Sequence, residues 1–316
     1  MSSERSRPSP VRLVTITEDQ AGQRLDNFLM AQLNGVPKSR VYRMLRTGEV
    51  RVDGGRAKAS DRLRAGTKVR IPPVHEAVRA DKPLLPDSLK SEIRERILME
   101  QPGYLVVNKP AGLAVHGGSG ISFGLIEVLR QLFPGESLEL AHRLDRDTSG
   151  CILVARSRKP LLELHRQLRE QEMSKAYWAL VKGKWPAHCR TVNAPLEKNQ
   201  LQSGERMVRV TQAGKESTTE FRVLRRFANA TLVEAMPLTG RTHQIRVHGR
   251  HAGHPLAGDP KYGDDAFNQQ MKTHGLKRLF LHAAALTFKD PATGETVRAD
   301  APLDTALTQV LDALHE

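Results

Sequence analysis

The sequence HRLDRDTSG (residues 142–150) runs without a spacer into the apolar segment CILVA (residues 151–155). The apolar segment is short and rich in β-formers, so it predicts a buried strand. The polar residues before it are therefore predicted to lie on a loop that is held by a core strand. Side chains that bind or catalyse are often placed on such loops.

Two interpretations of this loop follow from the residues alone. Asp145 is flanked by Arg143 and Arg146, whose positive charges favour an ionised carboxylate at neutral pH. However, DTSG (residues 147–150) is also a good turn sequence by itself. The residue chemistry leaves a catalytic loop and a simple turn about equally favoured.

Length and charge restrict the class of protein. A chain of 316 residues predicts about two domains. A net charge of +14 favours a polyanionic partner, either nucleic acid or an anionic membrane surface. We expect no membrane span, because no run of about 18 apolar residues is present. Aromatic residues make up only 4% of the chain, which argues against an RNA binder built on a wide stacking platform.

The N-terminus and the cysteines indicate the compartment. The first ten residues, MSSERSRPSP, lack the apolar core of a signal peptide, and we expect a flexible arm over residues 1–21. Cys151 and Cys189 are far apart and form no CxxC motif. Two reduced thiols in a cytoplasmic protein are therefore favoured over a disulfide.

Residues 22–72 form a basic module with 12 Lys/Arg and 4 Asp/Glu, a net charge of +8. Apolar residues fall at helical spacing in residues 25–33 and 41–45, with Ser39 as the expected N-cap of the second helix. Valines and an isoleucine then alternate with polar residues, as in half-buried strands. The second helix carries four cations: Lys38, Arg40, Arg43 and Arg46. A solvated charged face and a phosphate-binding face are both compatible with this pattern.

A proline-containing segment, residues 73–89, is predicted to be a linker. Residues 90–316 are predicted to form a second domain, with a short helix at its start over residues 88–99. Its strands are joined mostly by turns rather than by regular βα alternation, which favours an α+β fold. The sequence VVNKPAGLAVHGG (residues 106–118) is glycine-containing but lacks GxxxxGK[ST], which argues against a P-loop.

Two further motifs occur in the second domain. SKAYWALVKG (residues 174–183) alternates like a strand, in which Tyr177 alone would most often be a core residue. PLTGRTHQIRVH (residues 237–248) begins a histidine-containing region. Those histidines lack HExxH spacing and a completing carboxylate, so no metal site is predicted.

Together the three motifs resemble, in the same order, those of the RluA/RluC family of RNA pseudouridine synthases. Within that family, the sequence looks like the RluC-type enzymes of the large ribosomal subunit. Residues 22–72 resemble the S4 RNA-binding domain, which makes phosphate contacts the favoured role of its basic helix. The resemblance covers nearly the whole chain.

The resemblance implies three catalytic residues. Asp145 takes the position of the catalytic aspartate. Tyr177 would lie beside it, stacked on the target base and placed for proton transfer. Arg246 would be the ion-pair partner of Asp145, a role that suits a guanidinium.

The resemblance also implies RNA-binding residues in the second domain. Arg143 would take part in flipping the target base out of its stack, and Leu281 would pack beneath that base. Arg241 and His243 would lie at the RNA-facing start of a helix.

The implied fold is α+β, with a small S4-like domain followed by a catalytic domain whose mixed, mainly antiparallel sheet is flanked by helices. The implied activity is isomerisation of specific uridines in large-subunit (23S) ribosomal RNA. The reaction involves neither redox change nor hydrolysis, so no cofactor is expected. Ribosomal RNA is the expected partner; no membrane or protein partner is implied, and we expect a monomer.

Several alternatives stay open at this point. Asp145 could attack the sugar C1′ or the base C6. A non-catalytic ribosome assembly factor and an RNA N-glycosidase are the competing functions. A glycosidase with paired carboxylates would need a second acid at a fixed separation, and Asp147 is too close in sequence to form a clear pair.

Overall fold

A computed structural model describes residues 9–33, 35–74, 85–118, 123–200 and 206–315. The chain divides into two compact units, Met1–Pro86 and Asp87–Glu316. In the described part of the chain, no helix has the length and apolar character needed to cross a bilayer.

The first unit packs two helices on a small antiparallel sheet. In chain order its elements are β1 (Arg12–Thr15), α1 (Leu25–Gln32), α2 (Lys38–Thr47), β2 (Arg51–Val52) and β3 (Lys68–Ile71). The strands lie in the order β1-β3-β2. Phe28, Met44, Val69 and Ile71 are among the buried residues of its core. The helices and strands expected in residues 22–72 are therefore present.

The predicted N-terminal arm is wrong from residue 12 onwards. Residues 12–15 form β1, which pairs with β3, and Ile16 is buried in the core of the unit. The local sequence does not indicate this strand, because it is only four residues long and Leu13 on it is 63% exposed. Its partner strand lies more than 50 residues further along the chain. Residues 1–8 of the predicted arm lie outside the described residues.

Two other expected boundaries shift. Pro37, rather than Ser39, is the N-cap of α2, because the extended backbone of Pro37 (ψ 141°) lets its carbonyl accept the first hydrogen bonds of the helix. Val74, inside the predicted linker, is buried in the core of the first unit. The second unit begins with a helix at Asp87, and residues 75–84 of the linker lie outside the described residues.

The second unit is built on strands with helices between them. In chain order its elements are α3 (Asp87–Glu95), β4 (Ile97–Glu100), β5 (Tyr104–Lys109), α4 (Leu125–Leu132), β6 (Glu139–Leu140), β7 (Ser149–Ala155), α5 (Arg158–Arg169), β8 (Ser174–Lys182), β9 (Thr191–Asn193), β10 (Leu196–Gln200), β11 (Arg206–Val210), β12 (Thr218–Arg226), β13 (Ala230–Pro237), α6 (Gln244–His251), α7 (Asp265–Thr273), β14 (Leu281–Lys289), β15 (Thr296–Asp300) and α8 (Thr305–Ala313). The helix predicted over residues 88–99 thus ends at Glu95, and β4 follows it directly.

One ten-stranded sheet organises this unit. Eight strands follow the order β4-β5-β7-β14-β8-β13-β12-β9, while β6 pairs with β7 and β15 with β14. Every pairing in it is antiparallel except that of β7 with β14. The expected α+β class with a mixed, mainly antiparallel sheet is confirmed. β10 and β11 form a separate two-stranded ribbon.

The predicted strand after the polar loop is confirmed as β7, whose seven residues are all buried. β7 lies between β5 and β14 near the middle of the sheet. Its parallel contact with β14 is very close: a Cβ at Gly150 would lie 2.2 Å from the carbonyl oxygen of Ala283. Gly150 also has a φ of +108°, which side-chain-bearing residues rarely adopt. Only glycine fits where the polar loop enters the sheet.

We expect Gly150→Ala to lower the free energy of unfolding by about 3 kcal/mol or more, because a backbone oxygen cannot move away without breaking the sheet. Urea unfolding followed by circular dichroism measures this loss. Gly275→Ala is the matched control, since Gly275 also has a positive φ (+89°) but open space around its Cβ position. It should cost only about 1 kcal/mol. Equal losses for the two variants would show that the close approach to Ala283 does not matter.

Candidate active site

The residues predicted from the three motifs of the second unit line one pocket of about 670 Å³. Asp145, Tyr177 and Arg246 lie on its wall. The four predicted RNA-binding residues of this unit also line it: Arg143, Arg241, His243 and Leu281. The fold therefore brings together segments that are up to about 140 positions apart in sequence. A second cavity of about 790 Å³ shares the Asp145 loop as part of its wall.

Asp145 lies on the loop between β6 and β7, and its side chain is 29% exposed. Its backbone carbonyl accepts a hydrogen bond from the amide of Thr148 at 3.2 Å, which closes a turn. The nearest cationic or potentially cationic partner is His243, whose Nε2 lies 3.8 Å from Asp145 Oδ2. The loop is thus both a turn and the carrier of an accessible carboxylate.

A buried lysine ties this loop to its neighbour. Lys109, at the end of β5, donates from Nζ to the carbonyl oxygens of Pro110 (2.9 Å), Leu113 (2.8 Å) and Arg146 (3.1 Å). Burial lowers the pKa of Lys109 to about 7. Three accepting oxygens nevertheless need three N–H donors, which only the protonated amine supplies. The amide of Gly112 adds a further hydrogen bond to Arg146 O at 2.8 Å.

The two ends of the loop are fixed by side chains. His142 Nε2 accepts a hydrogen bond from the amide of Leu153 at 3.2 Å. Burial, together with the charge of Lys175, lowers the pKa of His142 to about 3, so this ring is neutral. At the other end, Ser149 Oγ lies 2.9 Å from His282 Nδ1 and accepts from Arg278 at 3.0 Å. These contacts hold Asp145 in one place.

Tyr177 lies on β8, opposite Ala235 of β13 and Ala283 of β14. Its side chain is half-buried. Burial, and then the negative charge of Asp145, raise the pKa of Tyr177, so its hydroxyl keeps its proton at neutral pH. Lys175, two residues earlier on the strand, also lines the pocket, and burial lowers its pKa. Within the described residues Lys175 has no carboxylate partner.

Arg246 does not form the expected ion pair with Asp145. Its guanidinium instead binds Asp259 with two hydrogen bonds, Nε to Oδ2 at 2.7 Å and Nη2 to Oδ1 at 2.6 Å. Both side chains are almost completely buried, and no ion pair joins Arg246 to Asp145 in the described part of the chain. Asp259 follows α6 on a loop, and nothing in its sequence surroundings marks it as the partner.

Arg246 still belongs to the electrostatic surroundings of Asp145. Burial disfavours its charge, but the hydrogen bonds and charge of Asp259, with a contribution from Asp145, raise the pKa of Arg246 overall. Asp259 also accepts from the amides of Lys261 and Tyr262, at 2.9 and 3.0 Å. Burial raises the pKa of Asp259, yet these bonds and Arg246 outweigh it and the pKa is lowered.

His243 is oriented by the same group of residues. Its Nδ1 lies 2.7 Å from the hydroxyl of Tyr262, which in turn accepts from the amide of Val208 at 2.9 Å. The Arg246 guanidinium lies over the Tyr262 ring, 4.9 Å from its centre. His243 is the N-cap of α6 and has a left-handed backbone (φ 54°), an uncommon conformation that functional sites often retain. Burial lowers the pKa of His243, so the ring is mostly neutral at pH 7.

The other histidines of this region have separate contacts. His248 is buried and hydrogen-bonded to Ser217 and Thr219, and His254 Nδ1 lies 2.8 Å from the carbonyl oxygen of Lys182. Among the residues that the structure describes, no three His, Cys, Asp or Glu side chains form a group able to hold a metal ion. Cys151 and Cys189 are both free thiols.

The predicted RNA-binding cations of the first unit differ in their contacts. Arg40 forms a two-pronged ion pair with Glu49, at 3.0 and 2.8 Å. Lys38, Arg43 and Arg46 are exposed, and none has an ion-pair partner within the described residues. Three of the four cations are therefore available to an anionic ligand.

Comparison with known proteins gives consistent results. The family model described as RNA pseudouridylate synthase matches residues 103–251, and the S4 domain model matches residues 23–69. The chain is 58% identical over 309 residues to ribosomal large subunit pseudouridine synthase C of Salmonella typhimurium, with 96% of this chain and 97% of the relative covered. It is 56% identical to the Escherichia coli K12 protein of the same name, with the same coverage. A solved structure of human RNA pseudouridylate synthase domain containing 4 superposes with a TM-score of 0.60 at 27% identity, covering 73% of this chain and 97% of that one.

The buried ion pair of Arg246 and Asp259 should contribute strongly to the free energy of unfolding. Asp259→Asn leaves the Arg246 charge without its counter-ion, and we expect a loss of about 3–5 kcal/mol in the free energy of unfolding at pH 7. Because the pKa of Asp259 is lower in the folded than in the unfolded protein, its stabilising contribution is complete above about pH 5 and declines as the pH falls towards the folded value. In the Asp259→Asn variant, this decline in the free energy of unfolding at low pH should be absent.

Asp300→Asn is the control for this experiment. Asp300 pairs with Arg298 on the surface, where both side chains are more than half exposed, so the change should cost less than about 1 kcal/mol. Urea unfolding at pH 7 and at pH 4 measures both variants. If Asp259→Asn were as mild as the control, Arg246 would not depend on Asp259.

Proposed function

The chain belongs to the RNA pseudouridylate synthase family, and we propose that it converts specific uridines of large-subunit (23S) ribosomal RNA to pseudouridine. Two observations support this substrate. The relatives named for the large ribosomal subunit are similar over nearly the whole length, including the S4 domain. The net charge of +14 and the unpaired cations of α2 suit a polyanionic partner.

We propose that Asp145 is the nucleophile. The observation that carries this proposal is its partly exposed carboxylate on the wall of a pocket that Tyr177 and Arg246 also line. A volume of about 670 Å³ is within the usual range for small-ligand sites, so a single nucleoside can enter. Attack on C1′ breaks the bond from C1′ to N1 directly; attack on C6 first forms an adduct of the base.

The proposed reaction needs no reagent other than the RNA and the side chains of the protein. The bond from C1′ to N1 breaks, the base turns, and a bond forms from C1′ to C5. The proton on C5 must then leave, and N1 gains one. Tyr177 is proposed to act in this late proton transfer. Because its raised pKa keeps the hydroxyl protonated, any proton that it accepts must be matched by one that it releases.

The target base must leave its stack before it can react, at a cost of a few kcal/mol. We propose that Arg143, which is exposed beside the pocket, occupies the space that the base leaves. Leu281, which is 4% exposed, would support the base from below. Arg241 and His243, at the start of α6, would contact the RNA near the pocket. Their roles rest on position and on the family resemblance.

Arg246 is proposed to act on Asp145 from a fixed position rather than through a direct ion pair. The two bonds to Asp259 lock its guanidinium, and the charge of Asp145 is close enough to contribute to the raised pKa of Arg246. A fixed cation near the carboxylate would stabilise the charge that develops there during the reaction without having to move.

We expect Asp145→Asn to reduce pseudouridine formation by more than about 10⁴-fold, because the amide is not a nucleophile. RNA affinity should stay within about threefold of wild type, since binding depends on many phosphate contacts. Tritium release from 5-tritiated uridine in 23S ribosomal RNA measures the first, and filter binding the second. Asp147→Asn is the control: it changes a neighbouring acid that pairs with Arg146 and should keep most activity. Substantial turnover by Asp145→Asn would refute the nucleophile assignment.

Tyr177→Phe tests the proton-transfer role. The ring remains, so stacking on the base and RNA affinity should be preserved, while pseudouridine yield should fall by about 100-fold or more. A tyrosine that only fills the core predicts near-normal yield with a small drop in melting temperature. Free uracil should stay at background in both proteins. Release of free uracil by the wild-type protein would instead indicate an N-glycosidase.

A further inference from the structure

Tyr42 is an exposed aromatic residue in the middle of the basic helix α2. Its side chain is 45% exposed, although most large apolar side chains of the first unit are buried. α2 buries Val41, Met44 and Leu45 in the core, and Tyr42 lies to one side of that buried face. The ring of Tyr42 is therefore not part of the packed core, and its exposed face is accessible to a ligand.

The ring is held in one orientation at its polar end. The Tyr42 hydroxyl donates to Asp26 Oδ2 at 3.2 Å. Asp26 is only 2% exposed and also accepts two hydrogen bonds from Arg24, at 3.1 and 2.7 Å, and one from the amide of Asn27. The bond from Arg24 is the main cause of a lowered pKa of Asp26, so this acceptor stays charged. A ring that is already held by its hydroxyl loses less entropy when a ligand binds it.

Cations lie on both sides of the ring along the helix. Lys38 and Arg46 are four residues before and after Tyr42, which places each about 6 Å away along the helix axis. Both are exposed and have no ion-pair partner within the described residues. On the opposite flank of α2, Arg40 is neutralised by Glu49. The exposed cations of the helix without an ion-pair partner within the described residues are therefore Lys38 and Arg46 on the face of Tyr42, and Arg43 on the adjacent face.

We propose that Tyr42, with Lys38 and Arg46, forms a nucleobase-stacking site in the S4 domain for an unpaired nucleotide of the RNA substrate. The proposal rests on the proposed function, because it takes the ligand to be RNA. One base stacks on the ring, and the phosphates on either side meet the two cations. Since the hydroxyl is already engaged by Asp26, the site recognises the flat face of a base rather than its hydrogen-bonding edge. It should therefore accept any of the four bases.

The test compares four full-length variants with wild type, using a single-stranded 12-mer RNA that contains one 2-aminopurine. Tyr42→Ala and Tyr42→Leu remove the ring, and Tyr42→Phe keeps it without the hydroxyl. Leu13→Ala is the control, since Leu13 is a 63% exposed side chain on β1 of the same unit. Fluorescence titration gives the affinity and the quenching of 2-aminopurine on binding. Circular dichroism melts confirm that each variant is folded.

We expect Tyr42→Ala and Tyr42→Leu to weaken binding about tenfold and to lose the protein-dependent quenching. Tyr42→Phe should stay within about twofold of wild type in affinity and should keep the quenching, and so should Leu13→Ala. Wild-type affinity and quenching in a folded Tyr42→Leu would overturn the proposal. Equal losses in the Phe and Leu variants would also overturn it, because they would assign the effect to the bond with Asp26.

This outcome is independent of catalysis. Absence of pseudouridine from wild-type reactions would refute the proposed activity, yet the binding titration would still report on the ring. Conversely, the wild-type protein could be active while the Tyr42→Leu variant binds RNA like wild type. The proposed activity would then stand, and the proposed stacking site would be refuted.

Discussion

The interaction between Lys109 and three backbone carbonyls holds the candidate site together. Its ammonium joins the turn after β5 to Arg146, the residue directly after Asp145. Carbonyl oxygens that converge in a buried space repel one another unless a donor lies between them, so a single cation stabilises both loops at once. The position of Asp145 thereby depends on a lysine that is itself completely buried.

Three groups close to Asp145 carry little uncompensated charge. Arg246 is neutralised by Asp259, and burial keeps His142 and His243 mostly uncharged. The carboxylate of Asp145 is left beside neutral rings and a locked guanidinium, where water does not fully screen it. If Asp145 is the nucleophile, as proposed, its carboxylate is oriented before the substrate arrives, which is the arrangement expected of electrostatic preorganisation.

The local sequence predicted the parts of this structure that depend on local patterns. Strand β7, the two helices of the first unit and the mixed sheet follow from apolar spacing and turn residues, and the family motifs identified the residues that line the pocket. Contacts between residues that are distant in sequence could not be predicted in this way. Asp259 has no sequence mark as the counter-ion of Arg246, Glu49 neutralises Arg40 from beyond the end of its helix, and β1 is a strand only because β3 lies beside it. The sequence also does not predict that Lys109 is buried and binds three backbone carbonyls, since a lysine at the end of an apolar strand is usually a surface residue.

Gly150 has a genetic consequence. Each single-nucleotide change of a glycine codon that alters the amino acid introduces at least a Cβ, and here even that one atom meets the Ala283 oxygen. No single-nucleotide substitution at Gly150 is therefore compatible with the packing of the sheet. This constraint is structural, although Gly150 lies only five residues from Asp145. In a library of random variants, loss of function at Gly150 would report on folding, and only its neighbours within the motif could report on chemistry.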